Sequence, residues 1–372
     1  MLRILLIGNY AADRQQSMQR YAAFLHATMP ASRFAVDLVL PRALLAKVLP
    51  FGGELGKWLG HVDKLIIFPW SLLRMSGRYD VLHLCDHGNA AYALFLPKRR
   101  TLVTCHDCLA MRGARGDFAE VHVRWTGRIA QRLILAGLRR ARHVVCVSEA
   151  TRQDLLELTG SAANAVPMIP NVLTHPYGRM DPADATGQLC RLGISKDRPL
   201  LLHVGSNEWY KNRLGVLGLF KELVGREGFR DCGLVLVGEA LAAEHVQFIG
   251  RHCLTERIIV REDIGNEALR ALYSTAQTLL FPSLHEGFGW PIIEAQACGC
   301  LVVTSRREPM MSVAGSGAIL VDPLDHCGAA DEIERQWQRR EYLIVQGYEN
   351  VRRFDPDRFI EAYAELYERM VR

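Results

Sequence analysis

Short, mainly apolar runs separated by longer amphipathic stretches repeat along this chain. In the first half the runs at 3–7, 36–40, 81–85, 101–105 and 143–147 are short and apolar at most positions, which predicts strands buried on both faces. Between them, 17–28, 89–96, 121–140 and 149–159 carry apolar residues at helical spacing. A stretch with Pro176, Gly178, Pro182, Gly187 and Gly193 spans 172–198 and reads as an interdomain linker. The alternation then resumes, with strands expected at 200–204, 232–237, 257–260, 278–281 and 300–304 and helices at 214–224, 266–274 and 291–297. Strand and helix in alternation predict an α/β chain with two doubly wound parallel sheets.

In such sheets ligands sit outside the carboxyl ends of the strands. Those ends carry Gly8-Asn9-Tyr10, Asp86-His87-Gly88, His106-Asp107, Ser148-Glu149, Gly205-Ser206-Asn207 and Gly238-Glu239. The turn at Gly8 lacks a G-x-G-x-x-G fingerprint, which argues against a nicotinamide site. Chemistry concentrates at 279–303. A buried strand is followed by a loop with Gly287 and Gly289, and Pro291 then sits at a helix start, where its missing N–H costs nothing. Gly299 suits the helix end. Two glycines before a helix N-terminus allow backbone N–H groups to approach an anion, and the helix dipole favours one there. Glu286 and Glu294 flank this phosphate site, and a carboxylate so placed suits sugar or ribose hydroxyls.

Length and charge change the picture in two ways. At 372 residues, with 49% hydrophobic and 23% charged residues, the chain suits a soluble protein of two domains. Lys and Arg outnumber Asp and Glu by 23 to 14 over residues 1–184 and trail them by 22 to 26 beyond. A basic first half predicts an anionic surface partner there. No run is long and apolar enough to span a bilayer, and the opening residues read as a strand rather than a leader. Ten cysteines without pairing spacing predict reduced thiols in the cytoplasm, and Cys105-x-x-Cys108 lacks the further ligands a metal site needs. Aromatic and basic residues interleave over 41–78, with Trp58, Phe68 and Trp70 among Lys47, Lys57, Lys64 and Arg74. Arg124, Arg128 and Arg132 share one face of the expected helix 121–140, with Arg112 and Arg115 ahead of it. Both features suit an anionic membrane surface, and equally a solvated face. No basic–aromatic nucleic-acid motif is present, so no nucleic-acid partner is expected.

The string Ser283-Leu-His-Glu286-Gly-Phe-Gly-Trp-Pro-Ile-Ile-Glu294-Ala resembles the signature of retaining glycosyltransferases of family 4, the group 1 enzymes of GT-B type. Three more stretches are similar to that family. They are Thr104-Cys-His106-Asp107, Val147-Ser148-Glu149 with its following helix, and Ile169-Pro170-Asn171, where Val172 replaces the usual glycine. His203-Val-Gly205-Ser206 through Lys211-Asn212 keeps the family's lysine, but Ser206 stands where an arginine is usual, with Arg213 nearby.

The resemblance implies two Rossmann-like domains facing across a cleft. One is an acceptor-binding domain of residues 1–175 with a terminal helix, 356–372, crossing back to it. The other is a nucleotide-sugar-binding domain of residues 186–355. It implies transfer of a sugar from a UDP- or GDP-sugar, such as GDP-mannose, to a glycan or lipid-linked acceptor with retained configuration, in cell-surface polysaccharide synthesis. His106, Glu286 and Lys211 are the expected catalytic residues. Gly8, Gly205, Ser206, Lys211, Val260, Arg261, Gly287, Phe288, Gly289 and Glu294 are the expected donor-binding set. Arg112, Arg124, Arg128 and Arg132 would face acceptor or membrane, at the inner face of the cell membrane. No cofactor and no metal is expected. Asp355-Pro-Asp357 matches an Asp-x-Asp metal motif but precedes an amphipathic stretch and reads as a helix cap. A nucleotide-sugar epimerase, a phosphorylase and a non-catalytic nucleotide-sugar binder are the alternatives; the phosphorylase would need phosphate as its co-substrate or a pyridoxal lysine, and neither shows.

Overall fold

The computed structural model describes residues 1–10, 15–41, 62–195 and 197–372. Trp58, Lys47 and Lys57 lie outside them. The chain divides into two compact units, 1–170 with 356–372, and 171–355.

The first unit is built on strands β1 (Leu2–Ile7), β2 (Phe34–Val39), β3 (Val81–Leu84), β4 (Thr101–Cys105) and β5 (His143–Cys146), in the order β2-β1-β3-β4-β5 and parallel throughout. The second is built on β6 (Leu200–Gly205), β7 (Gly233–Gly238), β8 (Ile258–Arg261), β9 (Thr278–Phe281), β10 (Leu301–Ser305) and β11 (Ala318–Val321). Its order is β11-β10-β9-β6-β7-β8, again parallel. Each order reverses direction at one seam, between β1 and β3 in the first sheet and between β6 and β9 in the second. Doubly wound sheets open a crevice at such a seam.

Burial on both faces explains the mainly apolar runs. Ile4 to Ile7 and Leu279 to Phe281 are closed to solvent, and each sheet anchors its own apolar core. The helix Pro356–Val371 belongs to the first unit. There a buried polar chain ties it to the sheet. His83 meets the Tyr367 hydroxyl at 2.7 Å and the Thr104 hydroxyl at 2.8 Å, and Thr104 meets the Tyr363 hydroxyl at 3.0 Å. The Tyr21 hydroxyl donates to Tyr363 at 2.6 Å.

Several expectations need correction. The stretch expected as helix 89–96 is a 3₁₀ segment, His87–Leu94. The helix Trp125–Arg140 packs against it so closely that a Cβ on Gly137 would lie 1.9 Å from the Ala90 carbonyl oxygen. That helix begins at Trp125 rather than 121, which leaves Arg124 at its N-cap. The expected linker holds a helix, Pro182–Arg191, capped by the Asp181 carboxylate, which accepts from the Ala183 N–H at 2.8 Å. Asp then Pro is a helix start as well as a turn, and here the start prevails. Residues 171–175, assigned to the first half in sequence, cluster with the second. The strand β11 and the helices Ala243–Arg251, His326–Gln336 and Arg340–Val351 have no counterpart among the expected elements.

Candidate active site

In the second unit the loops after β6 and β9 meet at the seam. After β6 a short turn, Trp209–Lys211, ends in Asn212, whose φ of 55° is left-handed, a conformation asparagine tolerates. The Asn212 amide donates to the carbonyls of Pro282 at 2.9 Å and Pro323 at 3.0 Å, and the Leu284 N–H donates to the Tyr210 carbonyl at 2.7 Å. These bonds fix Lys211 against the second loop. Its ammonium donates to both oxygens of Glu286, at 2.8 and 2.9 Å. The pair is largely enclosed, with side-chain exposures of 19% for Lys211 and 7% for Glu286.

Gly289 caps the helix Trp290–Ala297 with a φ of 104°, which an L side chain rarely adopts. Trp290 donates from Nε1 to the Val172 carbonyl at 2.9 Å. Phe288 is buried. Glu294, one turn into the helix, is buried and accepts from the Tyr273 hydroxyl at 3.0 Å. Ser206 sits on the half-exposed turn after Gly205.

Arg213, considered as a substitute for the missing arginine, is buried and spends its guanidinium on the turn itself. It donates to the carbonyls of Gly205 at 2.6 Å and Glu239 at 2.8 Å, and to the Asn207 side chain at 2.7 Å. It braces the loop that carries Ser206. Arg261 is likewise engaged, donating to the carbonyls of Leu192 at 2.6 Å, Val260 at 2.7 Å and Gly193 at 3.2 Å. With Val260 it lies on the edge strand β8, two strands from β6.

Beneath this centre lies His203. Its Nδ1–H donates to the Leu280 carbonyl at 2.9 Å, while Nε2 is buried without a partner. Burial, with Arg213 and Lys211 nearby, lowers its pKa to about 3, so the ring is neutral. Ser283 Oγ and the Asn171 amide are also buried without partners. Unpaired polarity of this kind concentrates where a structure has a task beyond folding.

The first unit gathers its own polar cluster at the β1–β3 seam. The Asp86 carboxylate accepts from the Asn9 amide and from the Gly88 N–H, and Asn89 donates to Asn9 at 3.0 Å and to the Gly8 carbonyl at 3.4 Å. His87 lies between Asp86 at 3.1 Å and Asp107 at 3.8 Å. Burial disfavours its charge, but Asp107 and Asp86 outweigh that and push its pKa up to about 10. The His106 N–H faces the same Nδ1 at 3.3 Å, a contact only a neutral ring could accept; the two carboxylates make the imidazolium the stronger arrangement. His106 is buried, donates from Nε2 to the Cys85 carbonyl at 2.9 Å, and packs edge-on against Tyr21. Burial pushes its pKa down. Cys105 and Cys108 flank it with their sulfurs 3.8 Å apart, and all ten cysteines are free thiols.

The predicted basic patch divides in two. Arg112 is bound to Asp117 at 3.0 Å and Asp154 at 2.5 Å, and Arg115 to Asp117 and Glu157 at 2.5 Å each. Neither is an uncompensated charge. Arg124, Arg128 and Arg132 are exposed, and no ion pair involves them among the described residues. Sequence reasoning missed Tyr273, which orients Glu294, and Asn212, whose position beside Lys211 was its only signal.

Two family models match the chain, Glycosyltransferase Family 4 over residues 18–174 and Glycosyl transferases group 1 over residues 189–349. Together they take in most of both units and both seams. The chain belongs to the family 4, group 1 glycosyltransferases. Within that family, O-antigen chain mannosyltransferase B of Escherichia coli is 26% identical over 267 residues, 70% of this chain and 68% of the relative. A D-inositol 3-phosphate glycosyltransferase of Xylanimonas cellulosilytica is 25% identical over 319 residues, 79% of this chain and 73% of the relative. Among solved structures, Anabaena HepE in complex with UDP and glucose superposes with a TM-score of 0.75 at 16% identity, covering 99% of this chain and 100% of that one. WaaG, a glycosyltransferase involved in lipopolysaccharide biosynthesis, superposes at 0.69 and 14% identity, covering 98% and 99%. At those identities the structures establish the GT-B fold alone, while the family models make the chain a glycosyltransferase.

Proposed function

We propose that this transferase takes a nucleotide-diphosphate sugar in the second unit and passes the sugar, with retention, to a glycan or lipid-linked acceptor held by the first. One observation carries the reading: a lysine–glutamate pair from the β6 and β9 loops, beside a glycine-capped helix N-terminus, stands at the seam of the sheet. Lys211 and the amides at 287–289 supply positive charge where a leaving diphosphate gathers negative charge, the term that dominates transfer reactions. Glu286 holds sugar hydroxyls, and Glu294, steadied by Tyr273, holds the ribose. Attack on the face the diphosphate leaves, with the phosphate taking the acceptor's proton, accounts for retention without a carboxylate nucleophile. The relatives named for mannosyl transfer and HepE's complex with UDP support UDP- or GDP-sugars, GDP-mannose among them, and cell-surface polysaccharide as the product class.

With Lys211 and the helix terminus in that role, no metal is required. The test is a screen of UDP-, GDP- and ADP-sugars for slow donor hydrolysis, with and without EDTA. One nucleotide class should be turned over, equally in both conditions. Activity lost to EDTA and restored by manganese would refute the charge assignment. Release of an altered sugar would make the protein an epimerase, and binding without turnover a sugar-nucleotide receptor.

The acceptor side is proposed to work on an anionic membrane, as a peripheral protein at the inner face. No described helix is long and apolar enough to cross a bilayer. The helix Trp125–Arg140 carries Trp125, Ile129 and Leu133 at four-residue spacing, exposed by 71%, 45% and 44%, and no acidic residue. Arg124, Arg128 and Arg132 precede each in turn, so an apolar stripe and a basic stripe run side by side. Each arginine contributes about 1 kcal/mol near such a surface, screened over about 8 Å at physiological salt. Sedimentation with phosphatidylserine vesicles should fall as salt rises, and neutral vesicles should bind poorly. The triple Arg→Gln variant should lose vesicle binding and keep donor hydrolysis. Wild-type protein that ignores anionic vesicles at low salt would leave the helix merely solvated and the acceptor soluble.

A further inference from the structure

Asn171 is 1% exposed, and neither its Nδ2 nor its Oδ1 has a hydrogen-bond partner. A buried amide in that state is costly, since it has left water and gained nothing in return. A chain shaped only for stability would place a hydrocarbon there. The position is also specific. The next carbonyl, that of Val172, accepts the Trp290 indole N–H, so Asn171 lies one residue from the contact that seats the first turn of the helix behind Gly287 and Gly289. His203 Nε2 and Ser283 Oγ, orphaned in the same way, belong to β6 and to the loop after β9, the two elements that meet at the seam of this unit.

We infer that Asn171 binds a hydroxyl of the donor's sugar, and that its amide stays unpaired until the donor arrives. The chemistry selects the hydroxyl. An amide offers one donor face and one acceptor face, and a sugar hydroxyl satisfies both because it accepts and donates at once. A phosphate oxygen only accepts and would leave Oδ1 orphaned. Because the amide is closed to solvent in the free chain, the loop beside it moves for the sugar to seat. This rests on the proposed donor site in the second unit and adds a sugar contact to it.

The test compares wild type with Asn171→Leu, which keeps the branched shape and removes both polar atoms, and with Asn171→Ala, in case the larger side chain strains the site. Melting temperature is measured without ligand. Titration calorimetry is run with UDP, GDP and ADP, and with UDP-glucose, GDP-mannose and ADP-glucose. For the donor that wild type accepts, the variants should lose about tenfold in affinity for the sugar nucleotide and almost none for the bare nucleoside diphosphate. In the absence of ligand, Asn171→Leu should melt as wild type does or about 2–4 °C higher, because an unsatisfied polar group has gone. Variants that melt lower and bind sugar nucleotides as wild type does would overturn the inference and make Asn171 structural. Equal losses for nucleotide and sugar nucleotide would overturn it too, moving the contact to the nucleotide. If wild type binds none of the six compounds, the donor site itself is wrong and this inference falls with it.

Discussion

Replacing Lys211 by methionine should slow sugar transfer by about 10²–10³-fold, the usual cost of losing one preorganised charge in a transfer site. The same change should also lower stability. Glu286 is 7% exposed, and both its oxygens are held by the Lys211 ammonium. Without that ammonium a mostly buried carboxylate is stranded, at a cost of about 1.5–3 kcal/mol. A second substitution separates the two effects. In Lys211→Met/Glu286→Gln the stranded charge is gone, so the melting temperature should recover towards wild type while the rate stays low. Glu286→Gln alone should also be slow, since a hydroxyl-binding carboxylate is lost. It should nevertheless bind bare UDP or GDP more tightly than wild type, because the diphosphate no longer competes with a carboxylate for Lys211. Thermal melts, turnover and calorimetry on the three variants complete the cycle. Full recovery of rate in the double variant would show the pair to be a structural strut, and weaker diphosphate binding by Glu286→Gln would show that Lys211 does not face the diphosphate.

That pair also shows what the sequence could and could not convey. Glu286 and Lys211 are each legible from local signals, a glycine loop before a helix and a lysine past a strand end. Their contact is not, because it depends on β6 and β9 being neighbours although 72 residues separate their nearest ends, Gly205 and Thr278. Strand order is a property of packing and leaves no local mark. The partners of Arg213 and Arg112 were hidden for a related reason: an arginine near a site reads as available charge, and only the fold shows three carbonyl-side contacts on the one and two carboxylates on the other. Pro182 misled because proline punctuates both loops and helix starts. The apolar stripe on the helix Trp125–Arg140 was hidden because alternating apolar positions look the same whether they face core or water.

Stability should fall steeply below pH 6.5, through two histidines in separate units. His83 is buried between Thr104 and Tyr367, with Tyr363 stacked on its ring and His106 adding repulsion. His203 is buried beneath Lys211, with Arg213 and His245 near. In both, burial lowers the folded pKa from 6.5 to about 3. The unfolded chain therefore binds a proton that the folded chain refuses at any pH between those values. Stability is full above 6.5 and is lost as pH falls towards 3, at about 1.4 kcal/mol per pH unit for each histidine. His87 acts in the opposite sense. Its folded pKa, raised to about 10, gives stability present below 6.5 and lost as pH rises through 10. Stability should thus crest near pH 6.5, and each unit should lose about 3–6 °C in melting temperature per pH unit below it. His83→Gln can keep a donor and an acceptor for Thr104 and Tyr367 and cannot take up the proton, so it should flatten the acid slope of the first unit and leave that of the second. Melts between pH 7 and 4 by circular dichroism measure this directly. A melting temperature that stays level from pH 6.5 to 5 would mean that both imidazoles reach water in the folded chain, against the enclosure that the Tyr363–Tyr367 and Leu280 contacts give them.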